Sequence, residues 1–204
     1  MGRVAESQRT RDEKLAREIP TIHFPTAADW EDWLAGNHAN ASAIWIKFAK
    51  KGSGIPTVGQ QEALDVALCY GWIDGQAAPC EEPFWLQRFT PRRARSKWSK
   101  RNCGKSEALV AAGRMKPAGL SEMEAAKADG RWESAYESAS KITVPEDLQA
   151  KLEENPAARD FFATLKGANR YAILYRIHEA KRPETRARRI EKFVTMLSDG
   201  KTIH

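Results

Sequence analysis

The stretch from Leu64 to Lys105 constrains the fold more than any other part of this 204-residue chain, because its apolar spacing changes from helical to alternating and back. Leu64, Ala67 and Leu68 fall on one helical face, and Gly71 reads as the residue that closes that helix. Trp72-Ile73-Asp74 then reads as a short strand and Asp74-Gly75 as a turn. Phe84 to Phe89 is a further strand, closed by Thr90-Pro91, and Ser96 or Ser99 caps a helix running to about Ala112. The same stretch holds Trp72, Trp85 and Trp98. From Pro83 to Lys105 it is basic at Arg88, Arg92, Arg93, Arg95, Lys97, Lys100, Arg101 and Lys105, with no acidic residue. One reading is a solvated basic face with aromatics tucked into a core. The other is a surface for an anion.

The flanking signals fit around that centre. Thr26 with Asp29 is a capping-box pattern ahead of Trp30, Trp33 and Leu34. Ile44, Ile46 and Phe48 alternate as in a half-buried strand, and Thr57 to Gln60 is a second capping-box pattern. Beyond Thr143 every signal is helical. Pro145, Asn155-Pro156 and Pro183 are start signals, and Phe161, Phe162, Tyr171, Leu174, Phe193 and Leu197 supply apolar faces. Three or four helices are expected from Val144 to Ile203. The fold class is therefore α+β, a small mixed or antiparallel sheet with helices, followed by a C-terminal helical subdomain. The expected organisation is a flexible tail over 1–20, an α+β domain with the Trp/Arg-rich motifs over 21–140, and a helical subdomain over 141–204.

The net charge of +6 favours anionic partners without singling out nucleic acid. Cys69, Cys80 and Cys103 are odd in number and lack CxxC spacing, and the four histidines are scattered. Neither a disulfide framework nor a metal site is expected, and no cofactor is implied. The first 18 residues lack the apolar core of a secretory signal, and no apolar run is long enough to span a bilayer. The expectation is a cytoplasmic protein with reduced thiols.

The run from Ala67-Leu68-Cys69-Tyr70-Gly71-Trp72-Ile73-Asp74-Gly75, with Arg88-Phe89-Thr90-Pro91-Arg92 and Ser96-Lys97-Trp98-Ser99, resembles the YdeI/OmpD-associated family. So do Gly113-Arg114-Met115, the segment Ala126 to Trp132, and Lys181-Arg182-Pro183-Glu184-Thr185-Arg186-Ala187-Arg188-Arg189-Ile190. The resemblance covers about Phe24 to His204. It implies a link in name to bacteriocin protection and to an outer-membrane porin, and it carries no established reaction.

Taken together, these residues suggest a non-catalytic binding protein with a basic, aromatic-lined site. The candidate ligand-binding residues are Trp72, Asp74, Arg88, Thr90, Arg92, Ser96, Lys97, Trp98, Ser99 and Asn102. Arginine binds phosphate bidentately, a helix start near Ser96 to Lys100 adds N–H donors, and tryptophan can stack on a base or sugar. The expected partner is phosphate or another small anion, with nucleic acid or a protein partner as alternatives. In an enzyme acting on an anionic small molecule, Asp74 would be the acid or base. Asp74 paired with Arg88 or Arg92 would be structural instead. Cys69, near a helix C-terminus, reads as a buried structural thiol. The basic run from Arg182 to Lys192 reads as a solvated helix face.

Overall fold

The computed structural model describes residues 19–204, so the expected tail over 1–20 lies almost entirely outside the described residues. The chain divides into two compact units. One contains the described residues up to Ser96 together with Gly104–Trp132, and the other contains Lys97–Cys103 together with Glu133–His204.

The first unit is built on a four-stranded mixed sheet of β1 (Thr21–Ile22), β2 (Ile44–Ala49), β3 (Trp72–Pro79) and β4 (Phe84–Pro91), in the order β1-β2-β4-β3. β1 is parallel to β2, and the other pairings are antiparallel. In register, Ile44 faces Phe89, Ile46 faces Gln87 and Phe48 faces Trp85. Side chains alternate along a strand, so these residues share one face with Trp72, which lies opposite Pro91. Helices α1 (Ala27–Asn37) and α2 (Gln60–Cys69) cover that face. Trp30 of α1 packs on Trp72 and Phe89, and its indole N–H donates to the Ala63 carbonyl of α2. Gln60 of α2 donates to Gln87 of β4. Trp30, Trp72, Ile44, Ile46 and Phe89 are at most 1% exposed. Burial of large aromatics on this scale dominates a small core.

Local signals explain most of the ends. Thr26 caps α1, with Asp29 returning a bond to the Thr26 N–H. α2 is capped differently from the expectation at Thr57. Gly59 is the N-cap, and Glu62 accepts from its N–H. The Thr57 hydroxyl instead accepts from Ala49 N–H on β2. Gly71 takes φ +73° after α2, which only glycine adopts without strain. Gly119, in α4 (Pro117–Ala128), allows a close approach to the end of α2. A Cβ there would meet the Cys69 carbonyl at 2.4 Å. Asp74-Gly75 is not a turn. β3 continues to Pro79 through a register shift between Asp74 and Ala77, held by Gln87 donating to the Gly75 carbonyl at 2.5 Å. The chain reverses at Cys80 to Pro83 instead.

α3 (Lys100–Ala111) starts at Ser99, whose hydroxyl accepts from Asn102 N–H. Ser96 does not cap it, because its hydroxyl accepts from Arg93 N–H in the preceding turn.

The second unit holds four further helices: α5 (Glu146–Glu153), α6 (Pro156–Thr164), α7 (Gly167–His178) and α8 (Pro183–Ser198). No strand occurs among the described residues from 144 to 203. Asn155 caps α6, and Pro183 opens α8. α7 stops at His178, and Arg182 is extended, since Pro183 disfavours helical backbone at the residue before it. Leu148, Leu152, Ala158, Phe162, Ile173 and Leu174 join Ile177, Ile190, Phe193 and Leu197 in one core cluster. The class is thus α+β, with the C-terminal part wholly helical.

Candidate functional site

The ten candidate residues separate by unit and by burial. Trp72, Asp74, Arg88, Thr90, Arg92 and Ser96 belong to the first unit; Lys97, Trp98, Ser99 and Asn102 belong to the second. Trp72 and Trp98 are 1% and 2% exposed, so neither presents a ring face to a ligand, and stacking on a base is ruled out for both. The Trp72 indole donates to the His38 carbonyl. Arg92, Ser99 and Asn102 are also buried, and Arg92 N–H extends the β3–β4 pairing by donating to Gly71.

The sheet decides what can act together in the first unit. Asp74 lies opposite Phe89, on the face that carries Trp72. Arg88 and Thr90 alternate with Phe89, so they occupy the other face, opposite Trp45 and Ile73. Asp74 and Arg88 are therefore not brought together, and an acid or base at Asp74 with Arg88 as its anion clamp has no common face. The second face carries Trp45, Lys47, Phe84, Leu86, Arg88, Thr90 and Ile73, all only half-buried. Trp45 lies opposite Arg88 and Leu86 two residues along the same face, and neither was singled out from the sequence as a site residue. The period-two alternation of β2 and β4, applied outward from Phe89, was the signal that would have found them.

Arg88 is unusual on that face. Its Nε atom is shielded from solvent and has no hydrogen-bond partner. A charged donor without a partner is costly to bury. Arg93 and Arg95 follow after β4 and are exposed.

Most lysines of the basic block are neutralised, by acids distant in sequence. Lys105 pairs with Asp65 at 2.5 Å in the first unit. In the second unit Lys97 pairs with Glu179 and lies over the Tyr175 ring, and Lys100 pairs with Glu137 at 2.6 Å. Ser99 forms a bridge with Tyr136, whose N–H donates to the Trp98 carbonyl. Glu81 and Glu82, the acids just before the block, pair with Lys47 and Lys50 instead. Hydrogen bonds from the Cys80 thiol and Lys47 hold the Glu81 carboxyl down at about 2.

The second basic run is partly structural. Arg186 makes a two-pronged pair with Asp147, Nε to Oδ2 at 2.5 Å and Nη2 to Oδ1 at 2.8 Å. It also donates to the Ile177 carbonyl, and Arg189 donates to that of Arg176. These carbonyls end α7, where cations are favoured. Arg186 holds the Asp147 carboxyl below its usual range. Cys69 is buried, and desolvation pushes its thiol up to about 11, which suits a structural role. Among the described residues no group of three or more His, Cys, Asp or Glu could hold a metal ion, and no helix is long and apolar enough to cross a membrane.

Residues 141–200 match the model of the family "Bacteriocin-protection, YdeI or OmpD-Associated", which takes in the Lys181–Ile190 motif. Residues 22–122 match a domain of unknown function, DUF8412, and this segment contains the Ala67–Gly75 and Arg88–Ser99 runs. A protein of Bacillus subtilis (strain 168), named uncharacterized protein YdeI, is 37% identical over 60 residues. That match spans 29% of this chain and 30% of the relative's length. No solved structure matches.

Proposed function

We propose that this chain, whose C-terminal part belongs to the YdeI/OmpD-associated family, is a non-catalytic binding protein for a small anion, phosphate or a carboxylate. The binding position is the half-buried sheet face at Arg88 and Thr90. The observation that carries this reading is the Arg88 Nε, shielded from water and donating to nothing. An anion there would satisfy the guanidinium in the two-pronged geometry arginine favours, with the Thr90 hydroxyl two residues along the same face as a further donor. Asp74, on the other face, does not compete. The exposed Arg93 and Arg95 add positive potential on approach. A cytoplasmic setting and a role in stress or bacteriocin protection go with the reading. The first rests on three free cysteines and the second on the family's name alone.

The test is thermal unfolding across a phosphate titration at constant ionic strength. A ligand that binds only the folded state raises the midpoint with concentration. Arg88→Ala and Thr90→Val should each flatten that response. An unchanged response in Arg88→Ala removes this site. If polynucleotide binds instead and weakens steeply with salt, the partner is nucleic acid.

A further inference from the structure

The sheet face that carries Arg88 holds a second shielded nitrogen without a hydrogen-bond partner, the Nε2 of His23. His23 directly follows β1, whose Thr21 lies beside Trp45 of β2. Alternation returns His23 to the face of Trp45 and Lys47, and its ring meets Phe84 of β4 edge-on, with centroids 5.6 Å apart. Phe84 and Arg88 are four residues apart on β4, about 13 Å at the rise of a strand. The two nitrogens therefore mark opposite ends of one face.

The ground between them is apolar or already neutralised. Trp45 lies opposite Arg88, and Leu86 lies two residues along β4. Lys47, opposite Leu86, is held by Glu81 and sits over the Phe84 ring, 4.2 Å from its centroid. Arg88 has no ion pair among the described residues. A single guanidinium balances a single carboxylate, fork to fork. A phosphate group brings more than one negative charge near pH 7 and leaves the excess uncompensated on a half-buried face. A small hydrated anion also leaves the aromatic and aliphatic ground unused.

We infer that the ligand of this face is an elongated monocarboxylate with an apolar body and a hydroxyl at its far end, which rests on Arg88 being the anion-binding residue. The carboxylate pairs with Arg88, the body lies over Trp45 and Leu86, and the hydroxyl meets His23 Nε2. A hydroxyl both donates and accepts, so it suits either neutral tautomer of the histidine.

The experiment titrates the full chain with phosphate, acetate, octanoate and 8-hydroxyoctanoate at constant ionic strength. Calorimetry gives the affinities, and amide chemical shifts place the ligands on the native chain, whatever the variants do. Octanoate should bind about tenfold more tightly than acetate or phosphate. 8-Hydroxyoctanoate should bind at least as tightly as octanoate, although its hydroxyl costs more to remove from water. Acetate should shift amides around Arg88 and Thr90, and the longer ligands should extend the shifts to Phe84 and His23. Arg88→Gln should weaken both octanoates about tenfold. His23→Phe keeps a ring and removes the nitrogen, so it should weaken 8-hydroxyoctanoate alone and make octanoate the tighter ligand. If phosphate and acetate bind at Arg88 and octanoate binds no more tightly, the anion site stands and this ligand class falls. An equal effect of His23→Phe on both octanoates, or shifts that never reach His23, also overturns the inference. If no ligand shifts the amides around Arg88, the anion site falls with it.

Discussion

The basic block from Arg88 to Lys105 and the basic run from Arg182 to Lys192 look alike as sequence, yet their charges are spent differently. In the first, the lysines reach carboxylates 37 to 82 residues away, at Glu137, Asp65 and Glu179, and all three pairs are partly solvated. In the second, Arg186 and Arg189 reach backbone carbonyls at the end of α7, and Arg186 adds a two-pronged carboxylate pair. A lysine behaves as a mobile point charge, whereas the fixed fork of arginine can terminate a helix and hold a carboxylate at once. The second run should therefore matter more to stability, residue for residue. The first should keep its functional weight in the arginines rather than the lysines.

The largest expected effect tests whether Trp98, in the middle of the first block, is core or contact surface. Trp98→Ala should cost about 3–5 kcal/mol in chemical denaturation, as for a large buried aromatic. A loss under 1 kcal/mol would restore Trp98 as a ligand-facing ring.

Arg186→Ala comes next. It removes three hydrogen bonds, two of them to a carboxylate, and should cost about 1–2 kcal/mol. A neutral result would make the second run a solvated face after all.

Asp147 supplies a pH-dependent version of the same test. Its folded pKa is lowered by Arg186, so the stability it contributes is present above the unfolded value of about 3.9 and is lost as pH falls through the folded one. Asp147→Asn should remove that part of the acid dependence, and Arg186→Ala should remove the same part. Solvent screening keeps the effect small, because the Asp147 side chain is 46% exposed.

Lys100→Ala should have the smallest effect, below about 1 kcal/mol, because the Lys100–Glu137 pair is largely solvated. Circular-dichroism melts of Lys100→Ala and Arg186→Ala side by side give the comparison directly. It fails if the lysine variant is the less stable.

Local chemistry determined much of this protein. The Thr26 and Asn155 caps, the stop at Gly71, the start at Pro183, the alternating core face of β2 and the helical C-terminal part all follow from residues within a few positions of one another. Steric and hydrogen-bonding rules at that range need no distant partner. Where a competing signal was equally local, sequence alone left it open, as between Ser96 and Ser99, or misread it, as at Asp74-Gly75. There β3 runs on because β4 lies beside it and Gln87 satisfies the Gly75 carbonyl across the bulge. Only the tertiary structure decided which charges are free. Pairings such as Lys97 with Glu179 span 82 residues, and the two faces that separate Asp74 from Arg88 exist only once β3 and β4 are in register. Charge and aromatic content can be read from a list of residues. Whether an arginine meets water, a carbonyl or a carboxylate depends on what the fold brings within about 3 Å of its nitrogens.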